Sequence, residues 1–553
     1  MKKLYLFSVF IILAGLGFRL FIALRMPDDE PDDGRVYALI ARNVVDRHCF
    51  SIETEDPVSP TYIRVPAYPM FLAGVYRVFG DDNNRAVRVI QAFASAATCI
   101  LIGLIAYAWA PAGWDADRKR RGFLIAIALS VGCPALAIYV AVILTETWAT
   151  FFIALSVLLA AYAMKAKTGR RELAWWLLSG LSGGIATMLR PDSAIFVGAV
   201  GAAMVVIRIA RLVRSIESRP LSEHSTAAQK SWGAVAAGML AAGSALTIGF
   251  AFALAPWTIR NERVFHVFQP IAPEGAGMPG EFNYSGYLSW LKTWVDDQKW
   301  VEVAEWSLDY MPIHVYQLPD SAFDSPEERD RVAALLAVYN KETQGVEAKA
   351  PPPAKDSDDD DDDSSGDDDD AGDSAQQSTN PTHKGLEYDV QMTPEIDAAF
   401  GQIARERTAR HPLRSYLFMP FRRAMSMWFD THSQYYPFQG ELFPLSKLDK
   451  DRHQQIWLPL FSLLIVVYTA LAVAGAAVMW VNKGARKWIL FLALLTVPRL
   501  AFLSSLENPE PRYVIELFPF VIAAGAVAVA AIQWSKVRGR LALSKNSSPT
   551  LTE

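Results

Sequence analysis

The chain has 553 residues, of which 52% are hydrophobic, and these are gathered into long apolar blocks. Its formal net charge of −5 is misleading, because twelve aspartates lie within 356–373 and the rest of the chain carries +7. The positive excess falls in short loops between apolar blocks, so it gives no reason to expect a nucleic-acid partner. Three cysteines provide no disulfide framework. The composition excludes a single soluble domain and favours an all-α polytopic membrane protein.

Ten segments are long and apolar enough to predict transmembrane helices, since a helix needs about 20 residues to cross a bilayer. They are 4–24, 86–109, 123–144, 147–164, 173–189, 193–210, 232–255, 456–480, 487–505 and 514–534. The first segment opens with two lysines and is followed by Met26 and Pro27, with no small-residue cleavage site. We therefore expect a retained anchor rather than a signal peptide.

Lysine and arginine in the short loops predict the orientation of these helices. With ten spans, the basic loops all fall on one side, which places both termini in the cytoplasm. The opposite side then receives the first loop at 27–85, the turn at Glu146, and the long segment 256–455. Every candidate charge discussed below is predicted to lie on that extracytoplasmic side.

In the first loop, Asp32 and Asp33 open an amphipathic helix. Its apolar stripe follows helical spacing through Val36, Tyr37, Ile40, Ala41 and Val44. The structural interpretation of Asp33 is an N-cap, a position that aspartate favours. The functional interpretation is a general base, kept ionised near the positive end of the helix dipole. The two interpretations are compatible, because a capping carboxylate still has a free oxygen.

The apolar block 123–164 contains one charge, Glu146. As one helix it would be about 63 Å long, twice the thickness of a bilayer core, so it must fold back. The turn is predicted at Thr145-Glu146-Thr147. Glu146 is then either a tip glutamate in solvent or a second functional acid, since ionisable groups at such positions are costly to bury.

Four arginines are predicted at the extracytoplasmic membrane surface, each next to proline or an aromatic residue: Arg64, Arg190, Arg260 and Arg512. Singly, each is typical of an interfacial anchor or a helix-end partner. Together they indicate anion capture, because a guanidinium matches a phosphate group. The histidines show no metal-ligand spacing, and no phosphate-binding glycine loop is present, so neither a metal nor a soluble nucleotide is expected.

The organisation predicted from these patterns has a transmembrane catalytic module at 1–256 and an extracytoplasmic region at 257–455. Within that region, 346–385 is predicted to be a disordered acidic insert. Helices are predicted at Pro326 to Glu342 and Pro394 to Arg410, followed by an interfacial helix at 412–430. The C-terminal transmembrane helices occupy 456–534, and a cytoplasmic tail occupies 535–553.

A series of short motifs now becomes recognisable: D-x-x-x-Y (Asp33, Tyr37) with I-A-R-N after it (Ile40 to Asn43), R-x-P-x-Y-P (Arg64 to Pro69), the T-E turn (Glu146), L-R-P-D (Arg190 to Asp192), P-W-x-I-R-N (Pro256 to Asn261) and P-R-Y (Arg512, Tyr513). In this order the chain resembles the polytopic C-type glycosyltransferases, in the bacterial branch related to protein O-mannosyltransferases and aminoarabinose (lipid A) transferases. The resemblance covers 1–345 and about 390–534.

The resemblance implies a transferase of the bacterial inner membrane that acts in cell-envelope glycan synthesis. Such an enzyme takes a sugar from a polyprenyl-phosphate donor and passes it to an extracytoplasmic lipid, glycan or protein acceptor. A lipid monophosphate leaving group needs arginine neutralisation rather than protonation, so no cofactor or metal is required in principle. A single displacement with a carboxylate base predicts an inverting, metal-independent reaction.

By the same resemblance, Asp33 is the catalytic carboxylate, Glu146 the second acid, and Arg64 the cation that contacts the donor phosphate. We assign substrate binding to motif residues Tyr37, Tyr68, Asn261 and Tyr513. The sequence departs from the family in two places: Asp33 is followed by Gly34 where the family often has Asp-Glu, with the extra acid at Asp32, and the aspartate-rich insert has no counterpart.

The alternative function is a polytopic transporter or flippase of lipid-linked sugars. Paired half-length helices near mid-membrane and internal pseudosymmetry would favour transport. The sequence shows neither, and its candidate residues gather at one surface.

Overall fold

A computed structural model describes residues 2–25, 32–166, 169–217, 224–273, 277–278, 280, 282–341, 390–431, 433 and 452–532. These residues are helical or irregular, and no strand occurs among them. The prediction of an all-helical protein is therefore confirmed for this part of the chain. The predicted insert at 346–385 and the tail at 535–553 lie outside the described residues.

The chain divides into two compact units. The first comprises 1–283 and 422–553, and the second comprises Tyr284–Phe421. The longer helices of the first unit, in chain order, are α1 (Lys2–Arg25), α2 (Asp32–Asp46), α3 (Ala67–Phe79), α4 (Asn84–Trp109), α5 (Ala116–Val131), α6 (Pro134–Ala137), α7 (Glu146–Lys165), α8 (Arg170–Leu189), α9 (Ala194–Glu217) and α10 (His224–Phe265). The second unit contains α11 (Ser285–Leu291), α12 (Gln298–Ala304), α13 (Pro326–Tyr339) and α14 (Pro394–Arg410). The remaining helices are α15 (Met419–Phe429), α16 (Arg452–Val481), α17 (Arg486–Leu503) and α18 (Phe518–Ala531).

Six helices in the described part of the chain are long and apolar enough to cross a membrane, or seven if one bent pair counts as a span. They lie at Asn84–Trp109, Glu146–Lys165, Pro191–Ser215, Trp232–Phe265, Gln455–Val481 and Pro511–Ala531. Other predicted spans are helical but more polar: α8 opens with two arginines and a glutamate, and α17 carries three basic residues. The structure thus supports a membrane-embedded protein, while the count of ten stays a prediction.

The apolar block 123–164 is not one continuous helix, as expected, but its break begins earlier than the predicted turn at Thr145-Glu146-Thr147. α5 ends at Val131, and the short helical segment Pro134–Val140 continues at an angle of 69°. Pro134 explains the break, because proline lacks the N–H that a continuing helix needs and restricts the residue before it. The next helix, α7, begins at Glu146. The predicted span at 123–144 is therefore not one straight helix, and the chain between α5 and α7 is longer than the predicted three-residue turn.

Close packing brings the middle of α8 against α10. A Cβ added to Gly180 would lie 1.9 Å from the carbonyl oxygen of Leu246, and one added to Gly249 would lie 2.0 Å from that of Leu177. Only glycine permits α8 and α10 to approach at these points, which is the small-residue packing common in membrane helices.

The second unit is organised around an aromatic core. Trp290 and Phe400 pack with ring centroids 4.9 Å apart and are fully buried. Beside this core, Arg407 forms ion pairs with Glu328 and with Asp324, and all three side chains are buried. The two predicted helices are confirmed, since α13 runs over Pro326–Tyr339 and α14 over Pro394–Arg410.

Residues 412–429 are helical and include one π-helical turn at Arg414–Phe418. Leu413, Tyr416 and Leu417 leave at least two thirds of their surface exposed. This apolar, exposed character is typical of a helix that lies on a membrane, as the sequence predicts. Its location in the membrane interface stays a prediction.

Candidate active site

Helix α2 places Asp33 at the edge of a packed layer. Ala38, Ile40 and Ala41 are fully buried against other segments of the same chain. The Tyr37 ring meets the Tyr68 ring edge-on, with ring centroids 5.3 Å apart. Asp33 lies in the first turn of a helix that begins at Asp32, so it is not the residue before the helix. The side chain of Asp32 lies outside the described residues. Of the two acids, the structure describes a site only around Asp33.

Both carboxylate oxygens of Asp33 face guanidinium groups. Arg512 Nη2 donates to Oδ2 at 2.8 Å, and Arg64 Nη2 donates to Oδ1 at 3.4 Å. The Asp33 side chain is 30% exposed, compared with 24% for Arg64 and 11% for Arg512. Residues from α2, from the loop before α3, and from the chain before α18 therefore meet at one partly open point. Two guanidinium groups therefore share the carboxylate of Asp33 there.

The environment of Asp33 controls its protonation. Burial alone would raise its pKa, but the charges of Arg512 and Arg64 oppose this, and the net pKa is lower than usual for aspartate. The carboxylate is therefore ionised at neutral pH. Burial, together with the negative charge of Asp33, raises the pKa of Tyr37 to about 12, so this tyrosine keeps its proton and can act as a hydrogen-bond donor.

A second, more deeply buried charge network adjoins this point. Arg190 Nη1 donates to Glu146 Oε1 at 2.7 Å, and its Nε lies 3.4 Å from Asp192 Oδ1 and 3.3 Å from Glu516 Oε1. Glu146 is only 2% exposed, which contradicts the interpretation of a tip glutamate in solvent. Three carboxylates surround this guanidinium, so Arg190 is already neutralised by protein groups.

The network contains two members that sequence reasoning missed, Arg499 and Glu516. Both are fully buried, and they form an ion pair with each other. Arg499 Nη2 also lies 2.9 Å from Asp192 Oδ2. The available signal was a basic residue deep inside the predicted span 487–505, whose other basic residue, Lys487, stands at its start, and a lone acid inside 514–534. Ionisable groups inside such spans pair with one another.

Tyr513 contacts both groups of charges, which we call the outer layer (Asp33, Arg64 and Arg512) and the buried layer (Glu146, Arg190, Asp192, Arg499 and Glu516). The guanidinium carbons of Arg190 and Arg512 lie 5.2 Å and 5.4 Å from the centre of its ring. Such contacts between a cation and an aromatic face stabilise both guanidiniums. The predicted residues Asp33, Arg64, Arg512 and Tyr513 are thus brought together, with Glu146 and Arg190 directly behind them.

The structure places Arg260, Asn261 and Tyr68 in other surroundings. Arg260 donates to the Thr61 carbonyl at 2.8 Å and to Asn261 Oδ1 at 2.9 Å. Asn261 in turn donates to the Gln269 carbonyl at 2.8 Å. The Tyr68 hydroxyl, which is buried, donates to Gln91 at 2.9 Å. These three side chains hold the first loop and the end of α10 in place, and their described contacts do not include Asp33.

Glu146 also borders a small polar cavity. Its Oε2 atom is buried and has no hydrogen-bond partner in the described part of the chain. The cavity is also lined by Ser95, Thr98, Tyr139, Thr147 and Thr150, and it has room for about one water molecule. No group of three His, Cys, Asp or Glu side chains among the described residues could hold a metal ion.

The outer layer of Asp33, Arg64 and Arg512 has the donors to bind an anion. Arg64 Nε is buried and makes no hydrogen bond within the described residues, so one guanidinium N–H remains for a ligand. A phosphate oxygen could replace either oxygen of Asp33 at the same guanidinium donors. Comparison with known proteins adds no assignment: no protein-family model matches the chain, and no curated protein matches it significantly.

Proposed function

We propose that the protein is a membrane glycosyltransferase that moves a sugar from a polyprenyl-phosphate donor to an extracytoplasmic acceptor. The observation that carries this proposal is the Asp33 carboxylate held between Arg64 and Arg512. One carboxylate base next to two guanidinium groups is the minimum set for displacing a phosphate leaving group. The six candidate spans support a lipid-linked donor.

In this mechanism the donor phosphate binds Arg64 and Arg512 and displaces the carboxylate of Asp33. The pKa of Asp33 then rises towards its ordinary value, because the two positive charges are shared with the phosphate. The acceptor hydroxyl or amine gives its proton to Asp33 while its oxygen or nitrogen bonds to the anomeric carbon. The bond between that carbon and the phosphate oxygen breaks, and the electron pair leaves with the polyprenyl phosphate.

The buried layer supports the displacement of the Asp33 carboxylate by the phosphate. Arg190 is fully engaged by Glu146, Asp192 and Glu516, so it holds the ring of Tyr513 next to Arg512 rather than binding the phosphate itself. The inverting, metal-independent course and the topology with both termini in the cytoplasm belong to the proposal. So do ten spans, the bacterial inner membrane, and a site on the extracytoplasmic side.

The test is a transfer assay. Membranes containing the wild-type protein or Asp33→Asn are incubated with a panel of labelled polyprenyl-phosphate sugars and with the cell-envelope acceptors of the same membranes. The expected result is label in a lipid, glycan or protein fraction with wild type alone, at equal expression. Transfer by the Asp33→Asn variant would refute the role of Asp33 as the general base. Movement of labelled donor across the bilayer without transfer would establish a flippase instead.

A further inference from the structure

Arg499 makes an unusual set of contacts for a residue inside an apolar helix. It is fully buried in α17, and its guanidinium donates to the Asp192 carbonyl at 3.2 Å and to the Tyr513 carbonyl at 3.3 Å. It also pairs with the Asp192 and Glu516 carboxylates. The ring of Phe196 lies 4.7 Å from the guanidinium carbon. One side chain therefore engages two separate stretches of chain through both backbone and side-chain oxygens.

Both stretches are irregular and adjoin candidate spans. Pro191–Ser193 and Pro511–Leu517 are 3₁₀-helical segments that precede α9 and α18. Backbone that departs from the α-helix at membrane depth is tolerated only where protein groups satisfy its polar atoms. The carbonyls of Asp192 and Tyr513 are such atoms, and Arg499 supplies their donors. Arg190 directly precedes the first segment, and Arg512 lies in the second.

We propose that Arg499 is a positioning residue for the anion site, which holds the segments Pro191–Ser193 and Pro511–Leu517 so that Arg190 supports the Tyr513 ring and Arg512 faces the ligand. This inference rests on the proposed function for the identity of the ligand. Arg499 itself does not touch the anion. Its effect passes through Tyr513, whose backbone it binds and whose ring contacts both site guanidiniums.

The experiment measures binding of farnesyl phosphate, a short polyprenyl monophosphate, to the full-length protein in lipid nanodiscs. Arg499→Met removes the donors, and Arg499→Lys keeps the charge but cannot reach all four oxygens. Arg19→Met is the matched control, because Arg19 is also fully buried in an apolar helix and donates to Ser95 at 2.7 Å and to the Ser130 carbonyl at 3.0 Å. Thermal unfolding is recorded for every variant, and binding is measured where each is folded.

The expected result is about tenfold weaker binding in Arg499→Met, the loss of about one charge-assisted hydrogen bond. Arg499→Lys should fold and bind with intermediate affinity, and Arg19→Met should bind as wild type does despite a lower melting temperature. Unchanged affinity in folded Arg499→Lys and Arg499→Met would overturn the positioning role, as would equal weakening in Arg19→Met. Failure of the wild-type protein to bind farnesyl phosphate would instead overturn the proposed function.

Discussion

If Asp33 occupies the place of the donor phosphate, removing its charge should tighten anion binding while it abolishes transfer. Asp33→Asn keeps the shape of the side chain but releases Arg512 and Arg64 from their ion pairs at 2.8 Å and 3.4 Å. The incoming phosphate then no longer has to displace a carboxylate. A purely structural salt bridge predicts the opposite, since its loss would loosen the site and weaken binding.

The magnitude follows from the geometry. A hydrogen bond to a charged group contributes about 1.5–3 kcal/mol, and exposed ion pairs contribute about 0.2–1 kcal/mol. Asp33 lies between these cases, because its side chain is 30% exposed and only the Arg512 contact is short. We take about 1 kcal/mol for the competition, which corresponds to about fivefold tighter binding of farnesyl phosphate in the variant.

The assay compares farnesyl phosphate affinity and sugar transfer in wild type, Asp33→Asn and the control Asp82→Asn. Asp82 forms an exposed ion pair with Arg42, so its replacement tests the general effect of losing a surface carboxylate. Tighter binding with no transfer in Asp33→Asn alone is the expected result. Weaker binding in Asp33→Asn would refute the idea that the carboxylate competes with phosphate, and retained transfer would refute its role as base.

The pH dependence follows from the lowered pKa of Asp33. A carboxylate with a depressed pKa stabilises the folded protein at pH values above its unfolded-state pKa, and this contribution is lost as pH falls through the folded-state pKa. Both values lie well below neutrality. The ratio of affinities between Asp33→Asn and wild type should therefore be the same at pH 7.5 and pH 9, where farnesyl phosphate is a dianion because its second pKa is about 6. A ratio that changes over this interval would show that another group titrates at the site.

Four further substitutions test the surroundings of the site and the second unit. Arg512→Met should weaken farnesyl phosphate binding at least about tenfold, whereas Arg260→Met should lower the melting temperature and leave that affinity within about twofold. Glu328→Gln should destabilise the second unit by about 3 kcal/mol, because it removes one of the two carboxylates that pair with buried Arg407, and urea unfolding with limited proteolysis would measure this. Gly286→Ala should cost about 2 kcal/mol in the same measurement, since its Cβ would lie 2.1 Å from the Asp397 carbonyl oxygen.

The helical architecture was accessible from the sequence because long apolar blocks are a strong, local signal. Pro394 to Arg410 was predicted with the bounds that the structure shows. The break after Val131 was missed although Pro134 was visible, because a hydropathy profile does not report a change in the direction of the helix axis. The aromatic core of the second unit was also missed, since its tryptophans are spread through segments of mixed polarity and no periodic pattern joins them.

The site was predictable where residues stand next to a motif and unpredictable where pairing is long-range. Asp33, Arg64 and Arg512 were chosen individually, yet the shared carboxylate joins positions 479 residues apart. Arg260 met the same sequence criteria, but it donates instead to Asn261 and to the carbonyl of Thr61, which is 199 residues away. An arginine beside proline or an aromatic residue therefore indicates a membrane-surface cation, and only the fold decides which cations share a ligand.

The outer and buried layers differ in how easily a partner in an ion pair can be replaced. This difference distinguishes the residues proposed to bind the ligand from those that hold them in place. Arg499 and Glu516 are fully buried, so breaking their pair would remove an interaction that water cannot replace. Asp33 and Arg64 are about a quarter to a third exposed, so water or a phosphate oxygen can replace one partner at small cost. The buried layer is thus permanent and the outer layer is labile. A ligand anion can enter only where a carboxylate can leave, and in the described network that place is Asp33.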